Sequence, residues 1–190
     1  MTFNRNTLSD QLLIEKILRG DTSSFSMIIT DTERLVAQIV RKMIADEEEQ
    51  KDLAQDIYLK VFQKLSTFKF QSKLSTWIAQ VAYNTCCNHL EKRKIPLCDI
   101  DLLHENAFVY PDDTERETFT IETNNMLHAE IGKLPPLYKM LISLYHIEEL
   151  PNKDIAEITN LPEGTIKSYL YRARKLLKES ISKTYKNDML

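Results

Sequence analysis

The stretch from Leu150 to Leu177, LPNKDIAEITNLPEGTIKSYLYRARKLL, leaves this chain little conformational choice. A short helix, a tight turn at Thr159-Asn160-Leu161 and a longer helix must follow in quick succession. Two helices closed across such a turn need a small residue where they cross, which Ala156 supplies. They also need apolar side chains between them, which Ile155, Ile158, Leu161, Ile166 and Leu170 supply. Asn160 tolerates the left-handed backbone that the turn demands.

The rest of the chain carries the same helical period. Leu8 to Arg19 reads as an amphipathic helix with Leu12, Leu13, Ile17 and Leu18 on one side and Gly20-Asp21 as its stop. Ser24 to Ala45 follows, with Ile28, Leu35, Ile39 and Met43 at helical spacing. The acids Asp46 to Glu49 then stand where a helix N-terminus welcomes negative charge. Leu53, Ile57, Val61 and Leu65 fall four residues apart and give the next helix a single apolar stripe. Ser66 to Ser72 interrupts the pattern, and Leu74 to Lys94 resumes it.

Residues 96–118 hold Pro96, Pro111 and many acids without any period, which predicts a flexible acidic linker. Four more helices fit beyond Phe119: one up to Ile131, one after Leu134-Pro135-Pro136, one around Lys153 to Ile158, and a long final one. The expected architecture is all-α, with two small helical domains over 1–95 and 119–190 joined by that linker, the second containing the helix-turn-helix.

Composition removes several function classes. Gly20, Gly132 and Gly164 are the only glycines, too few for a phosphate-cradling loop. Cys86, Cys87 and Cys98 are odd in number and lack the spacing of a zinc or redox motif, which fits a reducing compartment. His104, His128 and His146 are scattered, so no metal and no cofactor is expected. Cys86, Cys87 and His89 project from successive sides of a helix and cannot converge on one atom, so enzymatic chemistry is not expected either. The N-terminus lacks a basic segment followed by an apolar one, and no apolar run approaches a bilayer span. The expectation is a cytoplasmic protein without membrane insertion.

The net charge of −3 conceals segregation. Asp99 to Glu130 carries nine acids against Arg116 alone, while Gly164 to Lys186 carries seven basic residues against Glu179. The basic block coincides with the last helix. With its apolar side chains turned inward, Glu163, Thr165, Lys167, Ser168, Tyr171, Arg172 and Lys175 remain on or near its outer face. Lys167 and Arg172 suit guanine edges, Ser168 a base or phosphate, and Tyr171 a thymine methyl. Arg174, Lys175 and Lys178 suit phosphates. A solvated helix face is the plainer reading of Tyr171, Arg172 and Arg174; the basic block favours DNA.

A second constellation lies between Phe68 and Lys94. Phe68, Phe70, Trp77 and Tyr83 are interleaved there with Lys69, Gln71, Lys73, Asn84 and Asn88, a mixture suited to stacking and hydrogen-bonding unpaired bases. Phe68 and Trp77 equally suit the core of a helical hairpin. On the preceding helix Asp52, Gln55, Asp56 and Lys60 flank the apolar stripe and offer a docking surface for a partner helix.

These segments resemble, in order and separation, the two conserved regions of extracytoplasmic-function sigma factors of bacterial RNA polymerase. DLAQDIYLKVFQKLSTF with KLSTWIAQVAYNTCCNHLEKRK looks like sigma region two. The resemblance implies polymerase contact for Asp52, Gln55 and Asp56, and capture of a flipped minus-ten base by Phe68 to Ser75, Trp77, Asn84 and Asn88. LPPLYKMLISLYHIEELPNKDIAEITNLPEGTIKSYLYRARKLLKE is similar to sigma region four, whose last helix reads minus-thirty-five duplex DNA. It further implies core polymerase, promoter DNA and an anti-sigma protein as partners. Primary sigma factors carry an adjacent tryptophan pair where Gln80 and Val81 stand here, which implies stringent dependence on promoter sequence. The rival reading is a free-standing helix-turn-helix regulator that binds duplex DNA without polymerase.

Overall fold

The computed structural model describes residues 5–97 and 121–188 of the 190-residue chain, so the linker expected over 96–118 lies almost wholly outside the described residues. Eight α-helices are formed among the described residues: α1 (Arg5–Leu18), α2 (Phe25–Met43), α3 (Glu47–Lys64), α4 (Leu74–Lys92), α5 (Ile121–Lys133), α6 (Pro136–Ile142), α7 (Asn152–Thr159) and α8 (Glu163–Asp188). No strand occurs among them, in keeping with the all-α expectation.

The apolar stripe of α3 behaves as its spacing dictates: Leu53, Ile57, Val61 and Leu65 are all buried. Fully burying such a side chain stabilises by about 1.5–3 kcal/mol, which fixes the rotation of α3 on α2 and α4. Asp46 caps the helix, its carboxylate accepting from the Glu49 N–H at 2.9 Å. Glu47, Glu48 and Glu49 fill the first turn, where the helix dipole favours them. Pro136 opens α6 at a position where its missing N–H costs nothing.

The expected face of α1 needs correction. Ile14 and Ile17 are buried, Leu13 is half-buried, and Leu12 and Leu18 are exposed at 57% and 54%. The segment carries apolar residues on more than one side, so spacing alone left its rotation open. In the turn-bearing pair Ala156 is half-buried and packs against the core, and Ala173 of α8 is buried without remainder.

The helix after Pro135 has an unforeseen feature. α6 runs into a π-helical turn, Ser143–Ile147, in which one residue more than the α-helical period is accommodated. Ser143 and Leu144 are buried there, and Tyr145 packs partly against the core.

The two halves of the chain touch. α4 packs along α7 and α2 along α6, and the buried residues of both halves form one continuous apolar cluster. Lys73 Nζ lies 3.0 Å from Asp154 Oδ2, Gln80 Nε2 donates to the Glu157 carbonyl at 2.9 Å, and Arg34 Nε is 3.4 Å from Glu148 Oε1. The Leu137 N–H donates to the Leu97 carbonyl at 3.0 Å.

Candidate nucleic-acid interface

The C-terminal site is built by the turn between α7 and α8. Asn160 closes α7 in the left-handed region, with φ of 56°, as its side chain permits. Ile155, Ile158, Ile166 and Leu170 are buried between the two helices and their neighbours, while Leu161 is half-buried. Thr159 is buried with its hydroxyl donating to the Ile155 carbonyl at 2.8 Å, so the turn carries no orphaned side-chain donor there.

With α8 so fixed, Lys167, Tyr171 and Lys175 stand exposed at four-residue intervals, and Lys178 extends the same side. Neither Lys167 nor Lys175 has an ion-pair partner among the described residues. Thr165 and Ser168 are half-buried, the Ser168 hydroxyl donating to the Gly164 carbonyl at 3.0 Å.

The two arginines are held differently from the lysines. Arg172 is half-buried, its guanidinium 6.0 Å from the Tyr169 ring centroid. Arg174 lies 5.6 Å from the Tyr145 ring centroid, and its Nε donates to His146 Nε2 at 3.4 Å. Burial and the neighbouring Arg174 depress the His146 imidazole below its ordinary value. A neutral imidazole accepts that hydrogen bond; a protonated one cannot. The free cationic edge is therefore Lys167 and Lys175, with both arginines stacked on aromatic rings behind it.

The second constellation gathers at the loop between α3 and α4. Phe68 is buried, with its ring 4.7 Å from Phe70 and 5.3 Å from half-buried Trp77, centroid to centroid. Phe68 thus belongs to the core, while Phe70 and Trp77 form the half-covered edge of the cluster. Phe70 adopts φ of 56°, a conformation costing a bulky residue about 1–3 kcal/mol. Strain of this kind persists where the surrounding structure enforces it, commonly at binding sites. The loop walls a cleft of about 440 Å³, to which Phe70, Lys73 and Ser75 contribute together with Asp10, Asp31 and Thr32.

Spacing did not anticipate Asp10 and Asp31, because α1 and α2 reach the loop only through the tertiary fold. Asn84 and Asn88 are exposed on α4. Tyr83 is buried, so it belongs to the packing and not to that surface.

On α3, Asp52 and Gln55 are exposed, and Asp56 pairs with Lys60 at 2.6 Å. Lys60 also donates to Thr85 Oγ1 at 3.4 Å, so its charge is engaged within the helical hairpin. Asp56, Lys60 and Asn88 share the walls of a second cleft of about 530 Å³ between α3 and α4.

The thiols are remote from such chemistry. Cys86 is buried, and burial pushes its thiol up to about 12. His89 pairs with Glu49 at 3.0 Å and not with either cysteine. Among the described residues there is no cluster able to hold a metal ion, and no helix is long and apolar enough to cross a membrane.

Two family profiles match the chain, one described as sigma-70 region 2 over residues 28–95 and one as sigma-70, region 4 over residues 124–177. The chain is 29% identical to the ECF RNA polymerase sigma-E factor of Haemophilus influenzae, with 92% of this chain and 96% of that protein aligned. It is 28% identical to the RNA polymerase sigma-H factor of Pseudomonas aeruginosa, over 90% and 93% of the two chains. Among solved structures, CnrH in complex with the cytosolic domain of CnrY superposes with a TM-score of 0.63 at 16% identity, over 91% of this chain and 97% of that one. The sigma factor RpoE of Bartonella quintana, crystallised with the anti-sigma factor NepR, gives 0.60 at 21% identity, over 83% and 96%. At these identities the structural matches speak for the fold.

Proposed function

The chain belongs to the extracytoplasmic-function sigma factors of the sigma-70 family, and from that premise we propose how its surfaces divide the work of promoter-specific initiation. Residues 119–190 form the unit that anchors on minus-thirty-five duplex DNA. Lys167, Tyr171 and Lys175 enter the major groove with Thr165 and Ser168, while Arg172 and Arg174 reach the groove edge when they leave their aromatic seats. Residues 1–95 form the unit that holds polymerase through Asp52, Gln55, Asp56 and Lys60. They also trap unpaired minus-ten DNA at Phe70, Lys73, Ser75, Trp77, Asn84 and Asn88, with Phe68 as the buried support of that edge.

The observation that carries this reading is the exposed cationic edge of α8, set by a helix-turn-helix whose turn residue sits in the left-handed region. It follows within one chain a helix with an acidic first turn and a strained aromatic loop beside a cleft. The partners are core RNA polymerase, promoter DNA and an anti-sigma protein. The chain acts in the cytoplasm as an adaptor, with polymerase supplying all catalysis.

The test is reconstitution. Bacterial core polymerase supplied with the purified chain is expected to start transcripts at discrete promoters that core polymerase alone ignores. Failure to start them, combined with tight duplex binding by the chain alone, would replace this reading with that of a free-standing regulator.

A further inference from the structure

The cleft beside the strained loop carries the opposite charge to the one that phosphates attract. A surface that tracks a DNA backbone needs cations, yet the carboxylates of Asp10 on α1 and Asp31 on α2 stand in the walls of this cleft, Asp10 half-buried and Asp31 exposed. Burial, and then the Asp31 charge, raise the Asp10 carboxyl above its ordinary value, so the two acids face one space. Neither has a hydrogen-bond or ion-pair partner among the described residues. Lys73 lines the same cleft, but its ammonium lies 3.0 Å from Asp154 Oδ2. Thr32 spends its hydroxyl on the Ile28 carbonyl at 2.6 Å. The two carboxylates therefore remain as unused acceptors, which are costly to cover with anything that does not donate to them.

An unpaired DNA strand answers that demand only through its bases, because its phosphates and sugars accept hydrogen bonds and do not donate them. Adenine and cytosine carry an exocyclic amine with two N–H donors at the ring position where guanine and thymine carry a carbonyl oxygen. An amine placed between two carboxylates gives one hydrogen to each. A carbonyl at that place sets its lone pairs against two anions. Guanine donates from N1 and N2 instead, with O6 beside them, and that order of groups brings an acceptor against the second acid.

The rest of the cleft suits a base held in this way. Its volume of about 440 Å³ accommodates one base, and half-buried Phe70 offers a ring face for stacking. The half-buried Ser75 hydroxyl stands in the same wall and can donate to the ring nitrogen next to the amine.

We propose that Asp10 and Asp31 set the base specificity of the minus-ten site: they accept from the exocyclic amine of a flipped adenine or cytosine and turn away guanine and thymine. The proposal rests on the assignment of this cleft and its loop to unpaired minus-ten DNA. Base choice is then made by α1 and α2, two helices outside the loop that stacks the base.

The test removes the amine and the carboxylate separately and together. Holoenzyme is assembled from core polymerase and the full chain. Its binding is measured on a promoter selected by the wild-type holoenzyme, with the minus-ten segment held open by mismatches so that base changes do not alter pairing. At each adenine or cytosine of the captured strand the amine is replaced by hydrogen, using purine for adenine and 2-pyrimidinone for cytosine. At one position this is expected to weaken wild-type binding about tenfold, and guanine or thymine there to weaken it at least as much. With Asp10→Asn or Asp31→Asn the same loss of amine is expected to cost only about threefold or less, and the penalty for guanine or thymine to shrink, because a carboxamide can turn its own N–H toward a carbonyl. Each substitution removes one of two like charges, and assembly of the variants with core polymerase reports that they fold.

Amine dependence at no position would overturn the proposal, as would amine dependence that both variants leave at its wild-type size, or a preference for guanine or thymine at the captured position. Phe70→Ala and Trp77→Ala judge the underlying assignment independently. If neither weakens binding to the open promoter, the loop does not hold minus-ten DNA and the reading beneath the proposal fails. If they weaken it while the aspartate variants keep the wild-type base preference, the proposal alone fails.

Discussion

Lys167, Tyr171 and Lys175 share one edge of α8, and their roles separate by what each would lose on truncation. Lys167→Ala is expected to weaken holoenzyme binding to the minus-thirty-five element and to reduce the slope of log affinity against log salt by about 1 if its ammonium meets a phosphate. If it reads a guanine edge, the slope changes less and discrimination at one base pair falls by about 1–3 kcal/mol. Competition binding with promoter variants at several salt concentrations decides between the two. His146 makes a different prediction. Its folded-state value lies below the ordinary one, through burial and then Arg174, so the unfolded chain binds the extra proton first as pH falls. Stability is therefore full above the ordinary histidine value and is lost as pH drops toward the depressed one. His146→Gln should flatten the fall in melting temperature between roughly pH 7.5 and 5.5 that His146 contributes. The residue scale was only partly legible in the sequence. Exposure of Lys167 and Lys175 follows from the apolar spacing of α8. The seat of Arg174 beside Tyr145 and His146 does not, because it is met by a turn 28 positions away.

At the scale of the element, boundaries and stripes followed from local chemistry. Asp46 with three glutamates behind it, the four-residue spacing from Leu53 to Leu65 and Asn160 after α7 each have a cause within a few residues. Those causes are measurable. Asp46→Ala is expected to cost about 1 kcal/mol in denaturant unfolding through loss of the cap. Asn160→Val should cost about 1–2 kcal/mol because a β-branched side chain resists the left-handed region, while Asn160→Gly should be nearly neutral. The rotation of α1 was not legible. Leu12, Leu13, Ile14, Ile17 and Leu18 lie on more than one side of the helix, and only its packing against the turn at Thr22–Ser24 and the turn after α3 selects Ile14 and Ile17. The widened turn at 143–147 was equally hidden, since SLYHI has no composition that distinguishes it from an ordinary helical segment.

For the whole molecule, the helical class and the order of its parts were legible, because each depends on periods and breakers along the chain. The contact between the halves was not, because its polar links are single and its apolar part belongs to helices buried on more than one side, which no single period announces. Gln80 and Val81 stand where the resemblance implies the tryptophan pair of primary sigma factors, a difference expected to bear on how the whole machine opens DNA. With Gln80 and Val81 offering no ring to wedge between bases, initiation is expected to lean on base capture, so single changes in the minus-ten element should abolish most run-off transcription. Broad tolerance of such changes would contradict this. The π-helical turn has a further consequence. It holds one residue more than an α-helical turn in about the same rotation and rise, so a variant lacking one residue between Ser143 and Ile147 is expected to close into a regular turn while Glu148 and the helices beyond it keep their places. The cost falls locally, on the seat that Tyr145 and His146 give Arg174.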